Sequence, residues 1–108
     1  MSHLVVLTDD AARDIEELYD YIAAHDSMDS ALYVLGRLEE IVLELAELPQ
    51  RGNYPKELLA LGIKEFREVH FKPYRIVYRV FDDSVAVMLI VDGRRDLQPV
   101  LQRRLLEG

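Results

Sequence analysis

Arginines are the side chains in this sequence whose spacing best suits chemistry on a charged partner. Arg75 and Arg79 lie four residues apart in Tyr74–Phe81, and the alternation of a β-strand places both on one face. Neighbouring segments supply three more candidates for the same surface: Arg67, Arg94 and Arg95. Because the guanidinium group binds phosphate and carboxylate through paired N–H donors, we expect these arginines to face a target or a partner protein. The alternative is that they pair with acidic side chains of the same chain or remain solvated.

His70 is the histidine nearest the arginines and the candidate for a general base, and the alternative is a half-exposed strand histidine without a catalytic role. An imidazole titrates near neutral pH and can act as a general base. The three histidines, His3, His25 and His70, lack the spacing of metal ligands. Neither a Ser/His/Asp arrangement nor a glycine-rich phosphate loop is apparent, so we expect no metal and no cofactor.

Length and composition exclude several classes of protein. The chain has 108 residues, which predicts a single domain over residues 1–108, and half of its residues are hydrophobic, which disfavours disorder. Without cysteine it has neither a disulfide framework nor a thiol nucleophile. No apolar run is long enough for a transmembrane helix, and the start MSHLVVLTDD does not resemble a signal peptide. The net charge of −7 argues against general nucleic-acid binding.

The charge is divided unevenly along the chain. Residues 1–48 contain twelve acidic and two basic side chains, a net charge of −10, whereas residues 49–108 contain eight acidic and eleven basic, a net charge of +3. This division predicts two surfaces with different partners, and a solvated acidic helix face is the alternative. The charge therefore excludes a nonspecific nucleic-acid binder only.

The first half of the chain predicts a strand and a helical hairpin. Residues 3–7 are rich in Val and Leu, as in a short strand. Thr8 suits the N-cap of a helix over residues 9–24, whose apolar side chains recur at helical spacing. A second helix is expected from about Ser27 to Leu48. The short break between the two helices predicts that they pack antiparallel.

The second half predicts three strands and a short helix. Strands are expected over residues 65–71, 74–81 and 85–91, the last apolar on both faces and therefore central, after one helical turn at 56–61. A last helix is expected from Leu97 to an end at Gly108. The predicted fold class is α+β with the order β-α-α-β-β-β-α, in which the helix hairpin covers one face of an antiparallel sheet. The opposite face is left to solvent, to the last helix or to a partner.

Four segments in this order resemble the RelE/ParE superfamily of bacterial type II toxins: DIEELYDYI, LPQRG, REVHFKPYRIVYRV and VMLIVDGRRDL. The resemblance covers nearly the whole chain, and its most specific parts are YRIVYRV and DGRRDL. It implies the layout derived above, a location in the cytoplasm, and a cognate antitoxin that covers apolar grooves of the toxin in a heteromeric complex.

The resemblance leaves two activities open, mRNA cleavage on the ribosome and inhibition of DNA gyrase. For the ribonuclease branch it implies that Arg75 and Arg95 bind the phosphate, with His70 and Arg67 as the remaining candidates. That branch also has a lysine pair and a C-terminal tyrosine, but this chain has FREVHF at the first and Leu101 near the second. The tail DLQPVLQRRLLEG is similar to ParE-type toxins.

We therefore expect a ParE-like toxin that inhibits gyrase without catalysis of its own. A ribosome-dependent mRNA endoribonuclease is the alternative, although an acidic chain is poorly attracted to the anionic ribosome. A further alternative is a module that binds an antitoxin but has lost toxicity.

Overall fold

The computed structural model describes residues Ser2–Glu107, and its elements follow the predicted order. They are β1 (Leu4–Leu7), α1 (Asp9–His25), α2 (Met28–Glu44), α3 (Lys56–Leu59), β2 (Arg67–Phe71), β3 (Tyr74–Val80), β4 (Ser84–Asp92) and α4 (Gln98–Leu101), which continues into a π-helical turn (Gln102–Leu106). The α+β class and the order β-α-α-β-β-β-α are confirmed. No helix among the described residues is both long and apolar enough to cross a membrane.

The two long helices form the predicted hairpin. The Thr8 side chain accepts a hydrogen bond from the Ala11 N–H at 3.1 Å and so caps α1, and Ser27 caps α2 by accepting from the Ser30 N–H at 3.0 Å. The second helix ends at Glu44, earlier than predicted, because the following turns tighten to i→i+3 hydrogen bonds. Leu45, the first residue after the helix, is fully buried.

The four strands form one sheet in the order β1-β4-β3-β2. Strands β2, β3 and β4 pair antiparallel with one another, as predicted. The edge strand β1 runs parallel to β4 and pairs Leu4–Leu7 with Ser84–Val87, so the sheet is mixed rather than antiparallel throughout. The strand β4 lies inside the sheet, which confirms its predicted central place. One irregularity interrupts the β3–β4 ladder, because Val77 pairs with Leu89 whereas Tyr78 pairs with Val87. Met88 is therefore an extra residue, and this bulge reverses which face the following β4 residues occupy.

Both faces of the sheet are covered. On one face the hairpin packs against Ile76 and Tyr78 of β3, both fully buried. On the other face, two parts of the chain pack against Val77 and Leu89. One is the segment that contains α3, and the other is the C-terminal helix. The last helix thus takes the opposite face, which was one of the predicted possibilities. Its predicted end at Gly108 lies outside the described residues.

Candidate functional site

Arg75 lies in a buried ion-pair cluster on the face opposite the hairpin. Its side chain is 9% exposed, and Nη1 and Nη2 donate to the two carboxylate oxygens of Glu57 at 2.7 and 2.8 Å. Its Nε donates to Glu68 Oε1 at 2.6 Å. Glu57 comes from α3 and Glu68 from β2, so this cluster fastens the short helix to the sheet. The paired donors of one guanidinium match a carboxylate, which makes this geometry favourable.

Arg75 and Glu57 each stabilise the charged form of the other. The hydrogen bonds from Arg75 lower the pKa of Glu57, although partial burial opposes the shift. In return, the carboxylates of Glu57 and Glu68 raise the pKa of Arg75. The expectation that Arg75 faces a partner is corrected here, because its donors are already directed at two carboxylates of its own chain.

Arg67 does not join the other arginines. It pairs in register with Tyr78 and so belongs to the opposite face of the sheet from Arg75. Its Nη1 donates to the Gly52 carbonyl at 2.8 Å, its Nη2 donates to the Tyr54 hydroxyl at 3.2 Å, and its guanidinium lies 4.6 Å from the centre of the Tyr54 ring. Arg67 therefore holds the loop before α3. The prediction that it lies beside Arg75 is wrong.

Arg79 is the accessible arginine of β3. Its side chain is 42% exposed, and the single carboxylate near it is that of Glu65 at 3.7 Å among the described residues. The guanidinium lies 5.0 Å from the centre of the Phe81 ring and 6.0 Å from that of Phe66. Phe81 is itself 45% exposed. This pair of a cation and an aromatic ring forms a surface on the sheet that a second protein can reach.

Arg94 and Arg95 follow β4 in an exposed turn. Arg94 binds Asp92 through a fork of hydrogen bonds, with Nη2 at 2.6 Å from Oδ2, and this contact lowers the pKa of Asp92. Arg95 is exposed, and within Ser2–Glu107 it makes no side-chain hydrogen bond or ion pair. Of the five predicted arginines, Arg79 and Arg95 are thus the ones most available to a partner.

His70 lies beside the ion-pair cluster of Arg75, Glu57 and Glu68. It pairs in register with Arg75, its side chain is 45% exposed, and its Nε2 lies 3.7 Å from Glu68 Oε1. Leu101, near the position of the ribonuclease tyrosine, is fully buried. Among the described residues no group of three or more His, Asp or Glu side chains could hold a metal ion.

Sequence reasoning missed a second ion pair and a cluster of exposed aromatic rings. Asp14 and Arg104 bind each other through two hydrogen bonds at 3.0 and 3.1 Å. Tyr21 and Tyr33 are 62% and 63% exposed at one end of the hairpin. Both tyrosines fall outside the apolar stripes of their helices, and this was the signal that could have identified them as surface residues.

Comparisons with known proteins agree with this fold. The model of the family "ParE toxin of type II toxin-antitoxin system, parDE" matches residues 5–97. The toxin ParE3 of Caulobacter vibrioides is 24% identical over 100 residues, which span 93% of this chain and 96% of that protein.

Two solved structures share the fold. The chromosomal ParDE toxin–antitoxin system from P. aeruginosa has a chain with a TM-score of 0.71 and 20% identity, covering 84% of this chain and 96% of that one. The toxin–antitoxin complex RelBE2 from Mycobacterium tuberculosis has one with a TM-score of 0.63 and 20% identity, covering 85% and 99% respectively. The match to the family model spans most of the sequence, and the chain therefore belongs to the ParE family of toxins of type II toxin–antitoxin systems.

Proposed function

We propose that this ParE-family toxin inhibits DNA gyrase in the cytoplasm by binding it, and that a cognate antitoxin neutralises the toxin in a heteromeric complex. The observation that carries the choice of target is the buried cluster of Arg75 with Glu57 and Glu68. This arginine is the one that the resemblance assigns to the phosphate in the ribonuclease branch. Two carboxylates already surround it, so an RNA phosphate would meet a site of net charge −1.

The remaining ribonuclease candidates do not converge on Arg75. Arg67 belongs to the opposite face of the sheet, where it holds the loop before α3. The buried Leu101 has no group that could protonate a leaving oxygen. His70 can accept a proton, but the groups nearest to it are the same acidic cluster. These placements favour action by binding over catalysis.

The surface that we assign to the target is centred on Arg79 and Phe81. A partly exposed arginine beside an exposed aromatic ring has the composition found at the energetic centre of protein interfaces. Its guanidinium retains donors for a carboxylate or a phosphate, because the contact with Glu65 is long. Arg95 is the second cation that we assign to the target.

A supercoiling assay tests the target. Purified toxin, added at a stoichiometric ratio to gyrase, should block supercoiling or trap cleaved DNA, and premixing it with its antitoxin should restore activity. The variants Arg79→Ala and Phe81→Ala should weaken inhibition, whereas Arg13→Ala, which removes an exposed arginine of α1, should not. Gyrase that stays fully active with excess wild-type toxin would contradict the proposal.

Two further measurements separate the alternatives. Primer extension on translated mRNA should show no toxin-dependent ends, and the appearance of such ends would instead establish the ribonuclease activity. Expression without antitoxin should stop growth. Unimpaired growth at a confirmed level of folded toxin would leave a protein that binds an antitoxin but is not toxic.

A further inference from the structure

An open groove with two adjoining parts runs along the C-terminal half of α1. It consists of two open clefts of about 590 and 560 Å³ that share Tyr21 and Tyr74 in their walls. One cleft extends towards the turn between the two long helices, and the other extends towards the C-terminal helix. We call the two clefts together the α1 groove.

Aromatic rings line the middle of the α1 groove. The exposed ring of Tyr21 stacks on His25 with 4.2 Å between the ring centres, and the His25 Nδ1 lies 2.9 Å from the Tyr21 carbonyl oxygen. The exposed Tyr33 and the half-buried Tyr74 stand nearby in the same cleft. Tyrosine is enriched in protein interfaces, because it buries a large apolar area and loses little side-chain entropy. The middle of the groove therefore suits apolar side chains of a partner.

The two ends of the groove differ in charge. Asp26 and Asp29 line one end, both are exposed, and neither forms an ion pair within the described part of the chain. At the other end, two arginines are already neutralised by acids of the same groove, since Arg94 binds Asp92 and Arg104 binds Asp14. Two more cations of that end, Arg95 and Arg103, are exposed and form no ion pair among the residues described. Glu17 lines the same end, so the unpaired groups leave a net charge of about +1 there.

We infer that the α1 groove binds one segment of the antitoxin in a single orientation set by charge. The segment has basic residues over Asp26 and Asp29, apolar residues over the tyrosines, and acidic residues over Arg95 and Arg103. A uniformly basic segment would be attracted by the negative net charge of the toxin, but its basic end would be repelled by the two unpaired arginines. A uniformly acidic segment meets the two aspartates, so charge complementarity selects the mixed order.

The length of the segment follows from the helix beside it. Asp14 and Asp26 line opposite ends of the groove and are twelve positions apart in the sequence, which corresponds to roughly 18 Å along a helix. A helical segment of about twelve residues, or an extended one of about six, spans this distance. This inference rests on the proposed antitoxin partner but not on gyrase as the target.

Synthetic peptides of 14 residues, titrated into the full-length toxin by calorimetry, test the charge order. The mixed peptide carries two lysines at one end, Leu and Phe in the middle and two glutamates at the other end. The controls keep the apolar middle and carry either lysine or glutamate at both ends. We expect the mixed peptide to bind about three- to tenfold more tightly than either control, the range for one or two exposed ion pairs. Equal or tighter binding of the lysine peptide would overturn the inference, because net charge alone would then explain the affinity.

Charge reversals in the groove supply the second test. Asp26→Lys and Arg103→Glu should each weaken the mixed peptide, and the Asp26→Lys variant should instead prefer the glutamate peptide. The matched controls Glu39→Lys and Lys64→Glu change net charge by the same amounts at exposed positions that line neither cleft, and they should leave the order of affinities unchanged. Thermal midpoints close to that of the wild type verify folding. Equal effects of groove and control reversals would contradict a specific site.

A photoreactive group at the lysine end of the mixed peptide tests orientation directly. Cross-links should fall within residues 21–33 and not within residues 94–104, as read by mass spectrometry. Cross-links at both ends would contradict a single orientation. Gyrase is absent from all three experiments, so the inference can fail while gyrase inhibition holds, and the reverse is equally possible.

Discussion

Asp14 and Arg104 are 90 positions apart in the sequence and together complete the edge of β4 beyond the end of β1. The parallel ladder stops where Leu7 meets Val87, so the next backbone groups of β4 have no strand on that side, although β3 still lies on the other. Asp14 Oδ2 accepts a hydrogen bond from the Ile90 N–H at 3.1 Å, and Arg104 Nη2 donates to the Met88 carbonyl at 3.2 Å. The ion pair thus supplies hydrogen bonds that a longer β1 would otherwise make at this edge, and it links α1, β4 and the C-terminal turn.

This arrangement predicts that Arg104→Ala destabilises the fold. The variant leaves the Met88 carbonyl without its donor and Asp14 without its partner, which should lower the free energy of unfolding by about 1–3 kcal/mol. Urea unfolding measures the loss, and hydrogen exchange should show faster exchange of the Ile90 amide. The control Arg13→Ala breaks an exposed ion pair within α1, the helix that carries Asp14. It should change the free energy of unfolding by less than about 1 kcal/mol. Equal losses in the two variants would contradict the structural role of Arg104.

Arg75 and Arg79 are predicted to respond differently to the same substitution. Arg75→Ala leaves two carboxylates facing each other in a buried place and should cost about 3–5 kcal/mol. Arg79→Ala removes an exposed side chain and should stay within about 0.5 kcal/mol while it weakens the action on the target. Thermal unfolding measures the change in stability of each variant, and the supercoiling assay measures the change in its inhibition of gyrase. A stable, folded Arg75→Ala protein would show that the buried cluster is dispensable.

The acid dependence of stability should report on Glu57. Hydrogen bonds from Arg75 hold the pKa of Glu57 below its ordinary value of 4.5, so the native state binds fewer protons than the unfolded state in this range. Glu57 therefore contributes stability that is fully present above about pH 5 and is lost as the pH falls through the lowered pKa. Glu57→Gln should flatten the fall in unfolding free energy below about pH 5, measured by denaturant titration at several pH values. If the unfolding free energy of the variant falls below about pH 5 as steeply as that of the wild type, Glu57 is not the cause of this fall.

The hydroxyl of Tyr78 should be needed for the loop before α3. It accepts a hydrogen bond from the buried Gly52 N–H at 2.9 Å, and Tyr78 is itself fully buried. Tyr78→Phe leaves this N–H unpaired and should cost about 1–3 kcal/mol. Gly52→Ala should also destabilise the protein, because a Cβ atom there would lie 2.7 Å from the Tyr78 hydroxyl oxygen.

The Tyr78 prediction is checked by thermal unfolding. Tyr33→Phe, which removes the hydroxyl of an exposed tyrosine, is the matched control and should leave the midpoint nearly unchanged. A Tyr78→Phe protein as stable as this control would mean that water replaces the lost contact.

Periodicity in the sequence accounted for the fold because each element carries its own signal. The apolar spacing of α1 and α2, the Thr8 cap and the alternation of Tyr74–Phe81 are local features, and each was confirmed. Helix ends were less accurate. The turns after Glu44 tighten to i→i+3 hydrogen bonds, so α2 ends before the predicted Leu48.

The fate of each arginine was decided by tertiary structure. Strand alternation correctly placed Arg75 and Arg79 on one face, but it gave no indication that α3 carries Glu57 onto that face. The predicted neighbour Arg67 belongs to the opposite face instead, because the register of β2 pairs it with Tyr78. Arg95 kept its exposed position, as a turn residue with no partner from its own segment.

The sequence by itself determined the order of elements, the buried faces and the family resemblance, because these depend on spacing within single segments. Only the tertiary structure decided which charges are paired and which remain for a partner. An ion pair such as Asp14–Arg104 depends on contacts between segments far apart in the chain, and its energy depends on burial that no single segment defines.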